Sequence, residues 1–181
     1  LVSWYQEAQQ AFELCVLSLT DSTRLPNPAS QADADITLVQ GRALSRQAAF
    51  CYRLGDLHKA AQLAQQSVDL LTSSTAFTEK SFAYQVLGMA WHQLGVFDKA
   101  KDAYFHSYEA AQQTDDNDRK ANLGLRMGEI LYIVGAYDEA KRWQTMCLEM
   151  YQAAGKEWGI AESTRWLGEI AYAQDHFAAA E

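Results

Sequence analysis

Four segments set 40 residues apart carry one short pattern, and that periodicity limits the fold more than any other property of this 181-residue chain. The segments are 54–60, 94–100, 134–140 and 174–180. Glycine stands second in the first three (Gly55, Gly95, Gly135). An apolar or aromatic residue follows two places on (Leu57, Phe97, Tyr137, Phe177), and alanine five places on (Ala60, Ala100, Ala140, Ala180). A fixed period without drift marks an array of small units, each burying its apolar face by stacking on the next. In the fourth segment Asp175 replaces the glycine. Aspartate is among the few side chains that tolerate a left-handed conformation, so a fourth turn is expected there.

The stretches between the turns are rich in Ala, Gln, Glu, Leu and Lys and lack both proline and long β-branched runs, so each repeat reads as two helices. First helices are expected at 36–54, 79–94, 118–134 and 160–173, and second helices at 57–71, 97–113 and 137–154. The repeats then run over about 36–72, 77–113, 118–154 and 160–181. Before them, Tyr5, Ala8, Phe12, Cys15 and Leu19 make one apolar face over 4–19, matching the second helix of a half repeat. Both prolines, Pro26 and Pro28, fall in the segment 20–35 that follows, which reads as an insertion loop with Asp33 or Asp35 available to cap the next helix. Leu1 is not a methionine and Glu181 falls just after Ala180, so the chain is expected to be a fragment of a longer protein.

With each turn glycine numbered 15, the pattern is small at 8, large at 11, glycine at 15, aromatic at 17, alanine at 20 and aromatic at 24. Gly88, Trp91, Gly95, Phe97, Ala100 and Tyr104 supply it in the second repeat. Gly88, Gly128 and Gly168 are expected to let helix axes approach closely against the alanines 12 residues later. This pattern resembles the tetratricopeptide repeat, although that repeat usually has a period of about 34. The resemblance implies an all-α fold, a right-handed α-α superhelix of helix hairpins, or α-solenoid. The junction Gly155 to Ala161 and the run Leu167 to Ala171 look like the lengthened repeats of bacterial STAND signalling ATPases such as the maltose-regulon activator. That likeness implies a sensor array for an inducer, beside a nucleotide-binding module.

Net charge of −8 and a pI near 5.0 argue against a nucleic-acid face, which needs clustered Lys and Arg. No apolar run nears the roughly 18 residues of a membrane span, and no signal-peptide pattern opens the chain, so a cytoplasmic protein is expected. The three cysteines, Cys15, Cys51 and Cys147, are odd in number and widely spaced, which signals neither a disulfide framework nor a zinc site. His58, His92, His106 and His176 share no repeat position, so no metal site is expected. No phosphate loop, His-Glu-x-x-His or Gly-x-Ser-x-Gly occurs, so neither catalysis nor a cofactor is indicated. Asp115, Asp116 and Asp118 read as helix caps in a solvated turn.

In tetratricopeptide superhelices the first helices line a concave groove through positions 2, 5, 6, 9, 12 and 13. Position 12 gives Tyr52, His92, Tyr132 and Tyr172, and position 9 gives Ala49, Met89, Glu129 and Glu169. Position 5 gives Ser45, Gln85, Leu125 and Arg165, and position 6 gives Arg46, Val86, Arg126 and Trp166. Aromatic residues beside arginine are the composition of binding hot spots. Equally, the position 12 tyrosines fit simple packing over the next helix. The candidate partner-binding set is Arg46, Tyr52, Met89, His92, Arg126, Glu129, Tyr132, Arg165, Glu169 and Tyr172. A non-catalytic sensor or protein-binding array is expected, its groove grading from apolar around Met89 and Val86 to charged around Arg126 and Glu169 and holding a protein or peptide segment or a small inducer. The alternative is an assembly scaffold that self-associates through exposed end helices.

Overall fold

The computed structural model describes residues 31–178, with side chains over 34–175, and five earlier positions, Glu7, Gln10, Ala11, Leu14 and Leu17. Those five are helical and exposed. The expected apolar face of 4–19, Cys15, both prolines, Ala180 and the side chains of His176 and Phe177 lie outside the described residues. Seven helices and no strand occur among the described residues: α1 (Gln31–Leu54), α2 (Leu57–Leu71), α3 (Phe77–Gln93), α4 (Phe97–Gln112), α5 (Asn117–Ile133), α6 (Tyr137–Ala154) and α7 (Glu157–Ala178). Contacts gather into two bodies, Leu1–Ala110 and Ala111–Glu181. In the first, α1 packs on α2, α2 on α3, and α1 on α3; in the second, α5 packs on α6, α6 on α7, and α5 on α7. A first helix thus touches both its own partner and the next first helix.

Turn chemistry sets the hairpins. Gly55, Gly95 and Gly135 have φ of 83°, 74° and 81°, a region that a Cβ disfavours. Each hairpin closes in the same way, as where Val96 N–H reaches Trp91 O at 2.9 Å. Asp56 and Asp116 cap the following helices by accepting from the backbone N–H of Lys59 and Arg119. Asp116 bears out the reading of that acidic turn as caps.

Both ends of the helical run depart from expectation. Helix α1 is described from Gln31, inside the expected loop, so Asp33 and Asp35 belong to the helix instead of preceding it. Ala32 and Ala34 favour that helix by propensity. Helix α7 runs through Asp175 to Ala178, and no non-glycine residue among those described has positive φ. The expected fourth turn is therefore not made. Asp175 still pays the Cβ cost that glycine avoids, and its alanine-rich flanks favour continued helix.

The core explains the small residues. A Cβ on Gly88 would lie 2.8 Å from the Tyr104 ring, and one on Gly128 would run into the Gln144 amide. Gly88 and Gly128 therefore make room for the side chain at position 24. Ala100 and Ala140 are fully buried. Position 27 adds a polar contact between the helices of each hairpin. Ser67 Oγ donates to Gly41 O at 2.6 Å, Ser107 Oγ to Ser81 O at 2.6 Å, and Cys147 Sγ to Ala121 O at 3.3 Å.

Candidate functional site

The ten candidate residues divide between the two bodies. In the first, Arg46 is held by the protein itself. Its guanidinium lies 3.8 Å from the centroid of Phe82 and 3.4 Å from Glu79 Oε2, while Arg42 Nε approaches Glu79 Oε1 at 3.1 Å. Glu79 is 9% exposed, so this cluster pins α1 to α3. Tyr52 packs half-buried on the core together with Phe82 and Trp91. His92 meets the Phe97 ring edge-on at 6.0 Å, and Met89 is half-buried. Val86, expected in the apolar part of the groove, is buried in the core, as are Ser45 and Leu125 at position 5. Position 5 and 6 side chains lie near the contact with neighbouring helices, and the small or apolar ones sink into it.

In the second body the candidates come together on α5 and α7. Arg126 Nη1 lies 3.0 Å from Glu129 Oε2, and Arg165 Nη2 lies 2.8 Å from Glu162 Oε2. Arg165 also stacks 4.4 Å above Trp166, whose ring sits 5.4 Å from Tyr132, and Tyr132 is 5.7 Å from Tyr137. Tyr172 is 68% exposed. Glu169, also exposed, makes no ion pair or hydrogen bond among the described residues. Trp158, Glu162, Arg165, Trp166, Glu169 and Tyr172 follow at steps of one, three and four, which places them on one face of α7.

A cavity of about 520 Å³ opens at the N-terminal end of that face, lined by Asp118, Asn122, Tyr151, Lys156, Glu157, Trp158 and the glycines 155 and 159. Lys156 Nζ pairs with Asp118 Oδ2 at 3.2 Å, and the exposed Trp158 meets Tyr151 edge-on at 6.4 Å. Burial, then the nearby Cys147 and Asp118, push the Tyr151 hydroxyl up to about 12, against a hydrogen bond from Asn122. Tyr151 therefore stays a neutral phenol. Burial likewise lifts the Cys147 thiol to about 12, the opposite of an activated nucleophile. Among the described residues no three His, Cys, Asp or Glu side chains gather as metal ligands, and no helix is long and apolar enough to cross a membrane.

Glu79, Phe82, Glu162, Trp158 and Trp166 complete these surfaces and are absent from the sequence-derived set. Phe82 and Glu162 stand at position 2 and Trp166 at position 6, so the repeat register already placed three of them on the groove side. Glu79 and Trp158 precede position 1, where the register assigns nothing.

No family model matches the chain, and no curated protein matches it. Solved structures do. The apo form of RapI matches 94% of this chain and 58% of its own length, with a TM-score of 0.73 at 10% identity. The fold is an α-solenoid of tetratricopeptide type. A tetratricopeptide-type match also holds for a Rap protein complexed with competence and sporulation factor, over 98% of this chain and 48% of that one, with a TM-score of 0.64 and 14% identity. BtubC (BKLC) from P. vanneervenii gives a TM-score of 0.63 at 16% identity, over 94% of this chain and 74% of its own. This chain thus spans little more than half of RapI and about half of the Rap protein.

Proposed function

We propose that this tetratricopeptide array is a non-catalytic recognition module that holds a protein or peptide segment against the exposed side of its first helices. The observation that carries this reading is the α7 face, where Trp158, Trp166 and Tyr172 alternate with charged side chains and Tyr132 of α5 backs Trp166. Aromatic and arginine side chains in one patch are the usual anchors of polypeptide recognition. A Rap protein of the same fold was solved with competence and sporulation factor, which supports a role in holding a factor. The deeply buried, proton-retaining Cys147 thiol supports the non-catalytic part.

The experiment is selection of random displayed peptides on the immobilised chain, repeated with Tyr132→Ala and Arg126→Ala. Peptides whose affinity falls about tenfold or more with Tyr132→Ala support the site. Selected peptides indifferent to both substitutions would remove it. We further propose a bacterial signalling parent of STAND type, with this array as its inducer sensor, on the strength of the 155–161 and 167–171 motifs. A parent polypeptide without a nucleotide-binding module would cancel that context and leave the recognition reading standing.

A further inference from the structure

The two helices of a hairpin interlock through a fixed set of positions. At position 8 of the first helix, Gly88 and Gly128 receive Tyr104 and Gln144 from position 24 of the second. At position 4, a Cβ on Gly124 would lie 3.3 Å from both Trp143 and Met146, at positions 23 and 26. At position 1 the backbone carbonyl accepts from position 27. In α1, α3 and α5, positions 1 and 8 are buried, and positions 4 and 11 are buried or half-buried.

Helix α7 presents the same four positions uncovered. Ala161, Thr164, Gly168 and Ala171 are all exposed, and a Cβ on Gly168 meets nothing within 4 Å. Their steps of three and four put them on one face of the helix, separate from the face of Glu162, Arg165, Trp166, Glu169 and Tyr172. The complementary pattern stands in the same chain. Residues 4–19 carry the second-helix register, with Ala8 at position 20, Phe12 at 24 and Cys15 at 27. Ala11 and Leu14 stand at positions 23 and 26. Ala11 is exposed, whereas Ala103 at the same position is 4% exposed. Leu14 is 67% exposed, whereas Met146 packs half-buried on the core of the second body.

We propose that this chain self-associates head to tail, residues 4–19 of one copy docking on the Ala161, Thr164, Gly168 and Ala171 face of α7 in the next. The contact is a hairpin made between two chains. Its register sets Phe12 opposite Gly168, where Tyr104 and Gln144 stand opposite the equivalent glycines, and Cys15 opposite Ala161, as Cys147 is to Ala121. Burial of Leu14 and its apolar neighbours drives the contact. The two surfaces are unlike, so the contact does not close as a twofold dimer does, and copies add one after another. The recognition groove takes no part in it, and neither reading depends on the other.

Sedimentation velocity on the whole 181-residue chain is the test. The parent mass should rise with concentration and pass beyond the dimer. Gly168→Leu places a side chain where nothing lies within 4 Å, and Leu14→Glu charges an exposed position, so each variant should keep the parent melting temperature when dilute. Each variant alone should associate at least about tenfold more weakly than the parent. Mixed, the two retain one intact docking face each and should form a 1:1 heterodimer that grows no further. Thr164→Trp, at another exposed position of the face, replaces Gly168→Leu if that variant melts early. Phe105→Ser removes an exposed ring from α4 and should leave association unchanged. A parent mass independent of concentration, growth that persists in either variant, equal weakening by Phe105→Ser, or a mixture that stays monomeric would each overturn the proposal.

Discussion

The Ser107 hydroxyl donates a 2.6 Å hydrogen bond to the Ser81 backbone carbonyl, 26 residues earlier, and both residues are fully buried. The same position donates from Ser67 and Cys147 to the equivalent carbonyls, so every complete hairpin in the described structure carries one such polar tie. Ser107→Ala should cost about 1 kcal/mol, the net worth of a buried neutral hydrogen bond. Ser81→Ala removes only the secondary contact between the two hydroxyls at 3.3 Å and leaves the carbonyl in place. It should cost less than half as much. Urea unfolding of the two variants measures the contrast, and equal losses would mean that the carbonyl contact contributes nothing.

Three glycines at one repeat position should respond in opposite directions to alanine. At Gly88 the new Cβ meets the Tyr104 ring at 2.8 Å, and Tyr104 is 1% exposed with little room to move. Gly88→Ala should destabilise by about 1–3 kcal/mol through overpacking. Gly128→Ala should do likewise against the buried Gln144. At Gly168 a Cβ meets nothing within 4 Å, inside a helix where alanine is the better residue. Gly168→Ala should therefore stabilise by about 0.5–1 kcal/mol. Thermal melts of the three variants read the sign directly.

That contrast also shows what the sequence could and could not say. Gly88, Gly128 and Gly168 are indistinguishable in register, and the 40-residue period fixed the helix boundaries at α2 and α6 and the glycine turns. Helix α7 escaped the register because a period describes complete units, and Asp175 followed local propensity instead of forming a fourth turn. The candidate surface was half legible. Position 12 led to Tyr132 and Tyr172, but Arg46 is held by Glu79 and Phe82, partners 33 and 36 residues away, whereas Arg126 and Arg165 pair with glutamates only three residues off. No single repeat contains both Arg46 and either of its partners.

Alkaline pH should weaken the second body. The Cys147 thiol and the Tyr151 phenol rise from 9.0 and 10.0 to about 12, each chiefly through burial. Below about pH 8 both groups are neutral in folded and unfolded chains alike, and stability does not depend on them. Above it the unfolded chain ionises first and binds fewer protons than the folded one. Stability contributed by the neutral groups is then lost progressively as pH rises toward 12. Cys147→Ser keeps a donor of the kind that Ser67 and Ser107 provide and removes the lower of the two unfolded-state ionisations. Its stability should match the parent within about 1 kcal/mol at pH 7 and decline later on raising pH, which denaturant melts at pH 7, 9.5 and 10.5 would establish.

Glu79 joins two successive first helices, since Arg42 and Arg46 of α1 both reach its carboxylate from the other side of the helix interface. The carboxylate is nearly buried while both arginines remain 39–51% exposed, so water still screens one side of the cluster. Removing the acid strands no fully buried cation, and the loss should fall well below that of a wholly buried pair. Glu79→Ala is expected to cost about 1–2 kcal/mol, and Glu79→Gln less, because the amide keeps an acceptor for one guanidinium. A double-mutant cycle with Arg42→Ala isolates the charge contribution, which should shrink in 0.5 M salt. A coupling of zero at low salt would show that Phe82, stacked 3.8 Å from Arg46, and not the carboxylate, keeps α1 and α3 in register.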